Sequence, residues 1–448
     1  MKLPQAVQYC IASLEAAGFQ VYAVGGCVRD SLLGLTPADF DLCTNAKPEE
    51  ICNVFAGHQL LHHGEKHGTV GVVLDSEVFE ITTFRTEGGY EDARHPDWVA
   101  FVGKVEEDLA RRDFTINAMA YNPATGYIDP FGGQTDLENK VLRTVGDPEL
   151  RFKEDALRIL RGARFSARFG LTPDPATKAA MEKLAPLMDH LARERVFEEL
   201  CKLLLSATAE DLLRFAPVIT AAVPELAPQV GFDQRTRHHA YDIYTHTAHV
   251  VENVPRELTL RWAALLHDVG KPRCFTLDSD GHGHFKGHAP AGAELAADIL
   301  RRLKAPTALR EAVVLLIEQH MTRLEPDRKF LRRRLSRLGP EMLDQLLLLQ
   351  EADMRSKGVC KDEEMAQFSQ CLALLAQIRA EESCLSLRDL AVDGNDLLAL
   401  GLRGKAIGDS LNMLLDRVLD EQLPNDRAAL LAAAKEHTLI PSEKRCSP

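Results

Sequence analysis

Asp39 and Asp41, two acids separated by a single phenylalanine, follow closely on the pair Gly25-Gly26. If residues 39–43 form a strand, its period of two puts both carboxylates on one face. Paired carboxylates on a rigid strand suit a hard cation such as Mg2+, and adjacent glycines admit a phosphate that a Cβ would hold off. The combination points to metal-assisted chemistry on a nucleoside triphosphate. The plainer alternative is a turn and two solvated acids on an edge strand. Further along, Asp155, Arg158, Arg161 and Arg164 recur at three-residue spacing, which lays them along one drifting stripe if residues 149–169 form a single helix. Such a stripe is either an ion-paired surface or a row of guanidinium groups with an anion between them, a triphosphate or an RNA backbone. A third set, His246, the doublet His267-Asp268, His288, His320 and Asp353, lies in helical sequence, where ligands on separate helices can converge on a divalent metal.

The elements that must position these groups are read from periodicity. Residues 21–24 are an apolar run and read as a buried strand, followed by a short helix over 27–33 that carries Arg29. Residues 68–74 and 78–85 are rich in β-branched side chains and read as two strands joined by a tight turn at Asp75-Ser76. Glu80 on the second is a candidate third carboxylate beside the two aspartates. The polar stretch 86–97, with two glycines and a proline, reads as a surface loop of the kind that acts as a lid. Residues 106–120 read as one helix with Arg111-Arg112 in its middle, and 127–133 as a strand ending in a turn. From 147 onward nearly everything reads as helix. The expected fold class is α+β, a small mixed-sheet head followed by all-α segments.

The runs 24–41, 111–118 (RRDFTINA), 129–133 (DPFGG) and 154–158 (EDALR) resemble, in order and spacing, the successive motifs of the class II tRNA nucleotidyltransferases. These are the CCA-adding enzymes, which share a superfamily with bacterial poly(A) polymerases. The resemblance implies a nucleotidyltransferase head over 1–142, a helical neck and body over 143–230, an HD domain over 231–360 and a tRNA-binding helical tail over 361–448. It implies template-independent addition of the 3′-terminal CCA to tRNA from CTP and ATP, with Mg2+ held by Asp39 and Asp41. The family's phosphate- and ribose-contacting groups fall on Gly26, Arg29, Arg112, Asp113 and Asn117. Its base-reading pair falls on Asp155 and Arg158, with Arg161 and Arg164 nearby. A carboxylate accepts from an exocyclic amine and a guanidinium donates to ring nitrogens and carbonyls, so such a pair can read C or A without a template. The loop 86–97 is implied in switching from C to A addition. The histidine set resembles the HD-type phosphohydrolases, whose core ligands fall on His246, His267, Asp268 and Asp353 and whose extra histidines fall on His288 and His320. That implies a second site, for a divalent transition metal. Residues 393–420 resemble the tail of HD-containing members, where the tRNA elbow is held.

Composition narrows the classes. A chain of 448 residues is expected to divide into roughly three or four domains. No apolar run approaches the roughly 18 residues of a membrane span, and the amphipathic N-terminal segment is not a signal peptide. Ten cysteines without a C-x-x-C pair argue against a zinc knuckle or a disulfide framework, so the cytoplasm is the expected compartment. A net charge of -13 argues against a globally basic nucleic-acid binder. Local excesses remain, eleven Lys/Arg against four acids over 301–337 and six against two over 151–168, which suit gripping an anionic polymer at spaced points. Competing readings are an A-adding enzyme or poly(A) polymerase, a phosphohydrolase acting on cyclic or 2′-phosphates through the HD residues, and a non-catalytic RNA-binding module. Retention of Asp39, Asp41 and Glu80 speaks against the last.

Overall fold

Strand β1 (Val21–Val24) is buried along its whole length and lies inside a seven-stranded mixed sheet. The computed structural model describes residues 1–62, 64–88, 98–236, 240–359, 362–381 and 384–439. The other strands of the sheet are β2 (Leu42–Thr44), β3 (Gln59–Leu61), β4 (Thr69–Leu74), β5 (Glu77–Thr83), β8 (Ala120–Asn122) and β9 (Gly126–Ile128). Their order is β3-β4-β5-β2-β1-β8-β9, with β2 parallel to β5 and every other pairing antiparallel. The expected turn between β4 and β5 is present, and Asp75 and Ser76 both carry positive φ, 50° and 70°. That is the geometry of a two-residue hairpin loop whose twist matches the strands. Strands β6 (Arg85–Gly88) and β7 (Trp98–Phe101) form a separate antiparallel ribbon. Residues 86–88 are therefore strand and not loop, while 89–97, the rest of the expected lid, lie outside the described residues.

Helices α1 (Gln5–Ala16), α2 (Gly26–Leu32), α3 (Pro48–Val54), α4 (Val105–Ala110) and α5 (Gly133–Glu138) belong to the sheet region. The α+β character expected of the head is thus the one observed. Two expected helices are shorter than read. Residues 106–120 do not form one helix. Helix α4 stops at Ala110, a single 3-10 turn occupies Thr115–Asn117, and β8 follows. Asp113 causes the break, because its Oδ1 accepts from Phe114 N (2.8 Å) and from Asn117 Nδ2 (2.9 Å), which competes with helical bonding. The turn drives Phe114 and Ile116 fully into the core. Likewise 149–169 is two helices, α6 (Pro148–Glu154) and α7 (Leu157–Phe169). Asp155 between them is extended, with φ -144° and ψ 104°, and its Oδ1 accepts from Leu157 N at 3.0 Å. The acid therefore does not share a stripe with the three arginines. Helices α8 (Pro175–Leu184) and α9 (Arg193–Leu204) follow, and α9 packs along α7.

Two compact units emerge, residues 1–230 with 298–307, and residues 231–297 with 308–448. In the second, helices Ile243–Asn253, Leu258–Leu266 and Pro340–Arg355 pack on one another around fully buried Trp262. The basic stretch 301–337 is largely compensated by the chain itself. Arg328 pairs with Glu381 and Glu421, Arg333 with Asp420 (2.6 Å), and Arg302 with Glu225 (2.7 Å). The phosphate-gripping surface expected there is correspondingly reduced. Among the described residues no helix is long and apolar enough to cross a membrane.

Candidate active site

The β1–α2 turn sets one wall of a cleft of about 490 Å³. Gly25 takes φ +77°, and a Cβ there would stand 2.8 Å from Arg112 Nη1, so only glycine fits. Asp39 and Asp41 lie on the segment that enters β2 and not within the strand, which begins at Leu42. The Asp41 carbonyl still accepts from Val24 N (3.0 Å), which ties that segment to the sheet. Burial raises the pKa of Asp41, and the charge of Asp39 and, more weakly, of Glu80 raises it further while Arg112 opposes them. Glu80 is thus electrostatically coupled to the aspartates. Gly26, Arg29, Asp39, Asp41, Arg112, Asp113, Asn117, Asp155, Arg158, Arg161 and Arg164 all line this one cleft. Arg111, noted beside Arg112 in the 106–120 run, lines it too, and so do Arg168, Arg195, Asp30 and Phe165, which were not site candidates from sequence. Eight arginines face five aspartates, a balance that favours an anion.

Most of the arginines of the wall are held by a carboxylate. Buried Asp108 on α4 holds Arg111 (2.9 Å) and Arg112 (3.3 Å). Arg29 donates to Asp30 (2.8 Å) and to Asn117, and its guanidinium lies 4.5 Å from the Phe169 ring centre. Asp113 accepts from Arg161 through Nε (2.9 Å) and Nη2 (2.6 Å). Burial alone would raise the Asp113 pKa, but Arg161 and the hydrogen bonds bring it down to about 2. Arg164 pairs with buried Glu199 at 2.6 Å and stacks 4.1 Å from the Phe165 ring centre. Arg158 pairs with Glu154 (2.7 Å) and donates to the Arg111 carbonyl (3.1 Å). Asp155 pairs with Arg195 at 3.0 Å and not with Arg158. Arg158, Arg161 and Arg164 therefore do not need an anion to coexist, because acids from α6, the 113–117 turn and α9 separate their charges. Arg195, 40 residues from its partner, had no local signal to reveal it.

In the second unit the histidine set does converge. His246 Nε2 lies 3.0 Å from Asp353 Oδ1 and 3.6 Å from Asp268 Oδ2, His267 Nε2 lies 3.1 Å from Asp268, and His288 Nε2 lies 3.5 Å from it. His288 and His320 approach through their Nε2 atoms at 3.4 Å. All four imidazoles are tied through Nδ1 to backbone carbonyls of Ser356, Ala264, Phe285 and Ile317. That fixes Nδ1 as an N–H in each ring and turns the Nε2 atoms toward one another and the carboxylates, the orientation of metal-binding histidines. Burial pushes the His320 pKa down to about 4, which keeps the ring neutral. The buried Asp268 oxygens face the Nε2 atoms of His246, His267 and His288 and the Lys271 ammonium. Lys271 (2.7 Å from Asp268) and Lys357 (3.1 Å from Asp353) were not anticipated from sequence. Both lysines line an adjoining cavity of about 630 Å³ with Asp268, His288, His320 and Asp353.

Three family descriptions match the chain. Residues 21–143 match the Poly A polymerase head domain, 170–228 the probable RNA and SrmB-binding site of polymerase A, and 236–356 the HD domain. A CCA-adding enzyme of Bacillus velezensis is 33% identical over 414 residues, covering 92% of this chain and 93% of the relative. One from Limosilactobacillus fermentum is 34% identical over 432 residues, 95% of each chain. The crystal structure of the Bacillus stearothermophilus CCA-adding enzyme in complex with CTP superposes with a TM-score of 0.68 at 27% identity, covering 98% of both chains.

Proposed function

This chain belongs to the family of CCA-adding enzymes, and from that premise we propose how its own residues carry out the reaction. It is a nucleotidyltransferase that adds the 3′-terminal CCA to tRNA without a template, using CTP and ATP and releasing pyrophosphate. A bond forms between the 3′-oxygen of the primer and the α-phosphorus, and the bond to pyrophosphate breaks. The observation that carries the assignment of residues is the single cleft that gathers two coupled carboxylates and an arginine wall.

The family depends on divalent metal, and Mg2+ on Asp39 and Asp41 is our reading. The donor set fits, because all its atoms are carboxylate oxygens, and burial and then the charge of Asp39 hold the Asp41 pKa up, a cost that a cation would relieve. A bound Mg2+ would supply Lewis acidity at the attacking hydroxyl and neutralise the triphosphate. Arg29 and Arg112, oriented by Asp30 and Asp108, bind and align the phosphates. Arg161 and Arg164 contribute less charge than their number suggests, since Asp113 and Glu199 already pair with them. Asp155 and Arg158, each held by a separate partner, present acceptor and donors to the base. Division at 142, 230 and 360 into head, neck and body, HD and tail, and a cytoplasmic location, belong to the same proposal.

The test uses tRNA transcripts lacking the whole terminus or only its last A, and an unrelated RNA. Wild type should complete both tRNAs and ignore the third substrate. Asp39→Ala and Asp41→Ala should each abolish incorporation while tRNA binding persists; substantial remaining incorporation would sink the assignment. The converging imidazoles beside two lysines favour a second activity, metal-dependent phosphate release from cyclic or 2′-phosphates. His246, His267, Asp268 and Asp353 would hold a transition metal, for which nitrogen and oxygen donors are suited. His267→Ala should remove phosphate release and spare CCA addition.

A further inference from the structure

Cys52, His62 and Glu65 bring a thiol, an imidazole nitrogen and a carboxylate oxygen within 4.8 Å of one another, on the sheet region and outside both sites described above. Cys52 sits on α3, which Ile51 and the adjoining Phe55 anchor through fully buried side chains. His62 and Glu65 come from the connection between β3 and β4. Its backbone is closed by Glu65 N to His62 O (3.2 Å), His67 N to Gly64 O (2.9 Å) and Thr69 N to Gly64 O (3.0 Å). The two side chains already meet, His62 Nδ1 lying 2.9 Å from Glu65 Oε2. Two potential ligands three residues apart in sequence thus face a third on α3.

We propose that Cys52, His62 and Glu65 form a binding site for a thiophilic divalent transition metal of the Zn2+ class. Tetrahedral Zn2+ holds its ligands at about 2.0–2.3 Å and so roughly 3.5 Å from one another, a contraction that partly exposed side chains can make. The thiolate and carboxylate carry two negative charges, which match a dication, and solvent fills the fourth position. Sulfur separates this site chemically from the other two, since Asp39/Asp41 offers only oxygen and the histidine cluster only nitrogen and oxygen. Burial, and then the charge of Glu65, raise the Cys52 pKa, so loading displaces a proton and strengthens as pH rises. The site also has a structural consequence. Gly68, at the end of the same connection, accepts from Thr83 N (2.8 Å), and Arg85 at the start of β6 donates to the His67 carbonyl. A metal here would clip α3 to the footing of the β6–β7 ribbon.

The experiment titrates metal-stripped full-length protein with Co2+ and follows the near-ultraviolet charge-transfer band that only thiolate ligation produces. A saturable band is expected. It should vanish in Cys52→Ser, weaken in apparent affinity by at least about tenfold in His62→Ala and Glu65→Ala, and persist in His267→Ala. Circular dichroism of each variant separates a lost ligand from a lost fold. Absence of the band in the wild type overturns the proposal. So does an undiminished band in Cys52→Ser, or unchanged affinity in both His62→Ala and Glu65→Ala.

Discussion

At the scale of single residues, Asp113 joins three parts of the cleft through Phe114 N, Asn117 and Arg161. Its folded pKa of about 2 lies below the ordinary carboxylate value of 3.8. A depressed carboxylate stabilises the fold above the unfolded value, and that contribution disappears as pH falls from about 4 through about 2. The difference corresponds to about 2 kcal/mol. Asp113→Asn should lose about that much stability at pH 7 and flatten the acid limb, as read by urea unfolding over a pH series. Arg195 lines the cleft beside Asp155 and donates to it at 3.0 Å, and the role predicted for it is to position that carboxylate. Arg195→Ala should shift the ratio of C to A incorporation by about tenfold, a 1.4 kcal/mol effect, with the KM for triphosphate little changed. Arg195→Lys should recover part of it. Asp39, Asp41, Arg112, Arg158, Arg161 and Arg164 were legible because their spacing is local. Arg195 and Glu199 were not, because what recommends each is a partner on another element; Asp108 went unread although its partners lie only three and four residues on.

At the scale of elements, alternation and β-branched content sufficed for β1, β4 and β5, and Asp75-Ser76 was readable as a turn. The two helix breaks were not, because each depends on a carboxylate that trades a helical bond for a side-chain bond at Asp113 or Asp155. The 3.6-residue pattern continues across both breaks and hides them. The turn at 75–76 carries its own prediction. Both residues hold positive φ without being glycine, and Ser76→Gly should raise stability by about 0.5–1 kcal/mol, measured as an upward shift in the urea midpoint with an unchanged slope.

At the scale of the whole molecule, one chain carries donor sets with different appetites. Chelation should stop both nucleotide addition and phosphate release. Mg2+ alone should restore the first, whereas the second should return only with a metal that favours imidazole, such as Ni2+ or Co2+; parallel assays on one stripped preparation read this directly. Fold class followed from periodicity, but the partial compensation of the basic run 301–337 by Glu381, Asp420 and Glu421 could not, since charge counts along a chain ignore which charges meet. The same blindness bears on α7, where Arg158, Arg161 and Arg164 are matched with Glu154, Asp113 and Glu199. In heredity this makes the wall of the cleft a set of linked loci. A lesion in Glu199 leaves a buried cation unmatched, so suppressors selected for restored growth should arise at Arg164 more often than at Glu199 itself, and the helix should drift through time by paired replacement.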